Sequence, residues 1–179
     1  MLKDRFDILL GLLLLGCVGF AGALLTGGGS QASQRDLTVD KALEQEIAYQ
    51  AKVSFLERLY APVTELRQTG KNEAALLKLD ELSRRYPEEA HGEILRGETL
   101  LQLGATPEAI KHLARAVRMN GDYVDQHSPL SRRDLVDSLL ENKLAKLKKR
   151  AEKNPGSAGL QSALKDLYYL QGRMAGGCE

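Results

Sequence analysis

Cys178 is the side chain in this sequence best placed to react. It is a lone thiol in the run Gly176-Gly177-Cys178-Glu179, and outside the reducing cytoplasm such a thiol oxidises or enters mixed disulfides. A catalytic thiol needs a neighbour that favours the thiolate, and the adjacent Glu179 opposes it. Cys17 lies near the opposite end, so the two cysteines form neither a metal-ligand cluster nor an evident disulfide framework. His91, His112 and His127 are too scattered for an HExxH or Cys/His zinc pattern. There is no Gly-rich phosphate loop, nucleophile elbow or paired acid and base. The expectation is therefore a protein that is not an enzyme, with no catalytic residue, metal, cofactor or small-molecule substrate. The alternative is a thiol-active accessory factor using Cys178.

The charges favour binding over chemistry. Twenty-five basic residues face 24 acidic ones, a formal net charge of +1, so no whole-protein field attracts nucleic acid. Locally, Lys143, Lys146, Lys148, Lys149, Arg150 and Lys153 form a basic patch opposed mainly by Glu141 and Glu152. Two readings stand. One is a solvated outer face with cations near a helix C-terminus, and the other is a contact with anionic headgroups or an acidic partner.

The elements that must position these residues are helices. Across Ala90 to Tyr123, Gly97, Leu100, Gly104, Ala109, Leu113 and Ala116 fit two short helices crossing at a tight turn. Small residues allow the close crossing and leucines fill its sides. Gly70, Ala75, Leu79, Leu82 and Pro87 stand 34 places before Gly104, Ala109, Leu113, Ala116 and Gly121, and 34 residues is the tetratricopeptide period. The region resembles a tetratricopeptide repeat (TPR) array over 56–89 and 90–123, and more weakly over 124–157. In that frame Pro155 takes the end-of-repeat position and Gly172 the inter-helix glycine of a final half-repeat. Glu93 and Arg96 stand where the family has large apolar residues, Gly121 replaces the proline, and Ser128-Pro129 interrupts the third unit.

The resemblance implies a curved solenoid whose concave face receives a peptide or partner helix. Carried over position by position, the groove is Glu57, Tyr60, Thr64, Arg67 and Gln68, then His91, Ile94, Glu98, Leu101 and Gln102. This mixture suits an amphipathic protein segment. Tyr60, Thr64, Ile94 and Glu98 replace the Lys and Asn that clamp a C-terminal carboxylate in some members.

Boundaries follow from local chemistry. Thr69-Gly70-Lys71-Asn72 and Gly104-Ala105-Thr106-Pro107 read as turns, with Ala74 to Tyr86 helical between them and Pro107 opening the next helix. Pro62 predicts a bend, or a break between a capping helix and the first repeat. That capping helix, from Asp36 to Leu59, carries Leu43, Ile47, Ala51 and the Phe55/Leu56 pair at helical spacing and is expected to cover the first repeat's apolar face, in preference to a coiled-coil dimerisation helix, which would need about three or four sustained heptads. Ser131 to Lys153 reads as one long helix or two short ones, and Ala158 to Arg173 as the last.

Ile8 to Leu25 runs about eighteen residues without charge, roughly 27 Å as a helix, enough to span a bilayer. An uncleaved anchor, lipidation at Cys17 in the lipoprotein-like Leu14-Leu15-Gly16-Cys17, and cleavage near Ser30-Gln31-Ala32 are the three readings. Lys3 and Arg5 place the N-terminus inside.

The plan expected is all-α, an N-terminal transmembrane helix followed by a short TPR-like α-solenoid. Its parts are a cytoplasmic start (1–7), an anchor (8–25), a flexible linker (26–35), the helical-repeat domain (36–173) and a tail (174–179). Such a plan resembles TPR components of bacterial respiratory-complex and c-type cytochrome assembly. It implies a single-pass adaptor in the inner membrane with its repeats in the periplasm. The partners expected are a protein in the groove and the membrane through the anchor, with no nucleic acid. An integral structural subunit of a membrane complex is a further alternative.

Overall fold

The computed structural model describes residues 29–176. The cytoplasmic start, the anchor, Cys17 and Cys178 lie outside the described residues. Among those described, the chain is all-α, and no helix is long and apolar enough to cross a membrane. Two compact units divide it, Met1–Ala51 and Lys52–Glu179.

Helix α1 runs Gly29–Gln68 without interruption. It therefore begins inside the stretch expected to be a linker, where Gln31, Ala32, Gln34 and Arg35 are good helix formers. It also passes through Pro62. That residue is exposed, on a side away from the buried Tyr60 and Val63, so the carbonyl of exposed Arg58 that loses its donor faces water. Most of the stripe expected to cap the first repeat is not buried: Leu43, Ile47 and Phe55 are each about half exposed or more and Ala51 is exposed, while Leu56 is buried. Burial begins at Val53, followed by Leu56, Tyr60 and Val63 at three- and four-residue steps.

Gly70 turns the chain with φ +73°, a backbone that strains any residue with a Cβ. Helix α2, Asn72–Arg85, buries Ala75, Leu79 and Leu82. Helix α3, Ala90–Gln102, is opened by the Glu89 carboxylate, which accepts from the His91 N–H at 3.3 Å. Gly104, φ +77°, makes the second turn, and Pro107 lies in the first turn of α4, Thr106–Met119. Helix α4 is sharply two-faced, burying Ile110, Leu113, Ala114 and Val117.

Glu93 and Arg96, the polar residues at expected apolar positions, join α3 to its neighbours. Arg96 reaches Asp80 of α2 at 2.6 Å, and Glu93 accepts from His112 Nδ1 of α4 at 2.6 Å, with Arg115 at 3.7 Å. Burial raises the Glu93 pKa, but His112, Arg115 and Arg96 more than offset it and the net shift is downward.

The third unit departs from the repeat. In place of a helix pair over 124–157, a 3-10 turn covers Gly121–Val124 and an irregular segment follows. Pro129 disfavours helix at Ser128, and Asn120 Oδ1 draws the Asp122 N–H into a local turn at 3.0 Å. A single helix α5, Arg133–Lys153, then forms, and α6, Ala158–Ala175, runs on through Gly172, so that glycine is not an inter-helix turn. Helix α6 packs on both α4 and α5. Arg118 of α4 bonds Asp166 of α6 at 2.6 Å and stacks 4.4 Å from the Tyr169 ring centre. Asp166 is 7% exposed, so this cation neutralises a nearly buried charge.

Candidate functional site

The C-terminal half of α1 and the facing side of α3 border an open cleft of about 510 Å³, within the range of ligand sites. All five groove positions inferred on α1 line it: Glu57, Tyr60, Thr64, Arg67 and Gln68. From α3 only His91 and Glu98 do. The remaining three are elsewhere. Ile94 is 1% exposed in the core, Leu101 lines a neighbouring cavity with Lys143 and Lys146, and Gln102 is exposed at the end of α3. Lys148, Lys149, Arg150 and Lys153 are exposed along α5 with those two lysines.

Aromatic rings floor the cleft. Tyr60 and His91 lie 5.2 Å apart centre to centre, and His91 Nδ1 shares a 3.1 Å hydrogen bond with the Tyr123 hydroxyl. Tyr60 approaches α3 closely because position 92 is glycine; a Cβ there would sit 2.9 Å from the Tyr60 hydroxyl oxygen. Burial, together with the nearby Glu89 carboxylate, pushes the Tyr60 pKa up to about 12 and raises that of Tyr123 as well. His91 is 6% exposed; burial first, then Arg132 and Arg67 against the opposing pull of Glu98, lower its pKa to about 4. At neutral pH the floor is the Tyr60 phenol and a neutral His91 imidazole, which is hydrogen-bonded to the Tyr123 hydroxyl. It offers shape and hydrogen bonding rather than charge.

A paired charge cluster also lines the cleft. Glu98 accepts from Arg67 Nη1 at 2.6 Å and from Arg132 Nε at 2.7 Å, joining α1, α3 and the residue before α5. The side chains of Arg67 and Glu98 are each 14% exposed. Replacing Glu98 by glutamine leaves two partly buried guanidinium groups facing one another. The expected cost is about 2 kcal/mol, below the range for fully buried pairs because Arg132 is partly solvated. Urea denaturation of the E98Q chain checks it, and the loss should shrink when Arg132→Gln is added.

Arg132, Pro129, Leu130 and Leu95 also line the cleft and were not among the expected residues. Arg132 was legible, since it stands 34 residues after Glu98 and so one repeat period on. Leu130 was not, because its burial at 3% depends on an irregular segment folding back against α1 and α3.

His112 is tied to Glu93, and His127 Nε2 accepts from Gln126 at 2.9 Å. No grouping of three metal-ligating side chains occurs among the described residues. No protein-family model, no curated protein and no solved structure matches the chain, and the chemistry of the cleft rests on its own geometry.

Proposed function

We propose that this chain is a non-enzymatic, membrane-anchored adaptor of TPR-like plan. Its cleft between α1 and α3 docks an amphipathic segment of a protein partner on the periplasmic face of the inner membrane, in the assembly of a respiratory or cytochrome complex. The convergence of seven inferred groove residues, from Glu57 to Glu98, on one open cleft carries the reading. Its rings take apolar side chains, while Glu57 and Glu65 at the rim and the Arg67–Glu98–Arg132 cluster take polar ones. The two helical hairpins with glycine turns at the same repeat position support the TPR-like plan. The uncharged run Ile8 to Leu25 supports the anchor.

Thr64 is a half-buried wall residue, and Thr64→Arg fills the cleft without disturbing the core. Affinity capture of the full chain from detergent-solubilised membranes should retain a protein partner with the wild type and with Glu73→Arg on exposed α2 surface, and lose it with Thr64→Arg. The same capture with all three would overturn the cleft as the docking site. Digestion of the helical domain by protease added to intact spheroplasts is the result expected of a periplasmic location; protection there would overturn it.

A further inference from the structure

Arginines that join helices in this molecule meet a carboxylate: Arg67 and Arg132 on Glu98, Arg96 on Asp80, Arg118 on Asp166. Arg133 and Arg173 differ. They line a separate cavity of about 490 Å³ formed by the 3-10 turn, the start of α5 and the end of α6. Neither has an ion pair among the described residues. Arg133 uses two of its five N–H donors on neutral carbonyls, Val124 at 3.1 Å and Met174 at 3.0 Å. Arg173 holds a buried Nε with no hydrogen-bond partner, and its Nη2 lies so close to Gly121 that a Cβ there would be 3.1 Å away.

Among the described residues Asp125 is the one carboxylate in the lining, and its Oδ1 accepts from the His127 N–H at 2.8 Å. The wall therefore carries more positive than negative charge. A partly desolvated guanidinium without an acceptor is costly, and an oxyanion offers it two acceptors in matching geometry. Val124 and Met174, both nearly buried, supply an apolar side. The volume exceeds what a bare oxyanion needs and suits a small organic molecule.

We propose that this cavity binds a small organic anion, its phosphate or carboxylate held by Arg133 and Arg173 and its short apolar body against Val124 and Met174. The site shares no lining residue with the α1–α3 cleft. It places a soluble ligand where the 3-10 turn, α5 and α6 meet.

The test titrates n-butyl phosphate and inorganic phosphate, at constant ionic strength, into the full chain in detergent. The readout is the arginine side-chain Nε–Hε resonances, with that of Arg173 assigned through its loss in Arg173→Lys. The Arg173 resonance should move on titration. Arg173→Gln should weaken butyl phosphate by about tenfold, the loss of a charge-assisted pair, while Arg150→Gln on the exposed α5 face leaves it unchanged. An unmoved Arg173 resonance at roughly 10 mM ligand, or equal weakening by both variants, overturns the proposal. Inorganic phosphate binding as tightly as butyl phosphate overturns the organic part of it. Should Arg173→Gln fail to fold, the resonance of the unaltered chain decides alone.

Discussion

Gly97→Val is expected to destabilise the helical domain by about 3 kcal/mol, the upper part of the range for overpacking a tight contact. A Cβ at Gly97 would lie 2.7 Å from Leu113 Cγ, 2.8 Å from its Cδ2 and 3.2 Å from the Ala109 carbonyl oxygen. Leu113 is 0% exposed and Ala109 contributes backbone, so neither yields without moving α4. Valine gains only about 0.5 kcal/mol over glycine in helix propensity, too little to offset the clash. The melting temperature by far-UV circular dichroism should fall by roughly 10 °C. Leu113→Ala in the same chain should relieve part of the loss, so the double variant is less damaged than the two single losses predict. A melting temperature within roughly 2 °C of wild type would mean that α3 and α4 do not cross at Gly97.

Acid should weaken the fold through His91. Its pKa is near 6.5 when unfolded and about 4 when folded. Between those values the unfolded chain holds a proton that the folded chain does not, so stability rises with pH across the window. The contribution is fully present above about pH 6.5, falls away as pH drops towards 4, and changes no further below that. Integrated, the window is worth about 3 kcal/mol. The groups around the ring explain the sign. Burial disfavours the imidazolium, Arg132 and Arg67 repel it, and Glu98 attracts it too weakly to compensate. Urea unfolding at pH 7.5 and pH 4.5 should show most of this loss in the wild type, and His91→Phe should reduce the difference between the two pH values. An equal difference in that variant would place the acid sensitivity elsewhere.

Much of the first two hairpins was legible because their signals are local. Gly70 and Gly104 need a left-handed backbone, Pro107 needs a helix start, and Ala109, Leu113 and Ala116 form one face whatever else the chain does. The α1 side of the cleft was legible for the same reason, since Tyr60, Thr64 and Arg67 share a face of one helix. What was not legible depends on partners distant in sequence. The apolar face of α6 could be read, but its seating against both α4 and α5 depends on the third unit failing to form a hairpin. Leu43 and Ile47 have a helical spacing that suggests burial, yet both are exposed. Glu93 and Arg96 broke the apolar pattern because each has a charged partner on an adjacent helix, Glu93 on α4 and Arg96 on α2.

The charge cluster lining the cleft combines geometry with electrostatics. Glu98 holds α1 and the residue before α5 through two cations, and the same cations help keep His91 neutral. Substitutions at Glu98 and His91 should therefore be non-additive, because they share Arg67 and Arg132 as neighbours. A partner bringing a carboxylate would compete with Glu98 for those guanidinium groups, and one bringing an apolar side chain would settle on the Tyr60 and His91 rings.

Site-specific photocrosslinking in intact membranes tests most directly whether this cleft is where the partner docks. A photoreactive side chain at Gln68, on the cleft rim, should join the chain to a partner protein, and the same group at Glu73, exposed on α2, should not. Addition of Thr64→Arg should abolish the Gln68 adduct. Equal adducts from both positions, or an adduct from Gln68 that survives a filled cleft, would contradict the account.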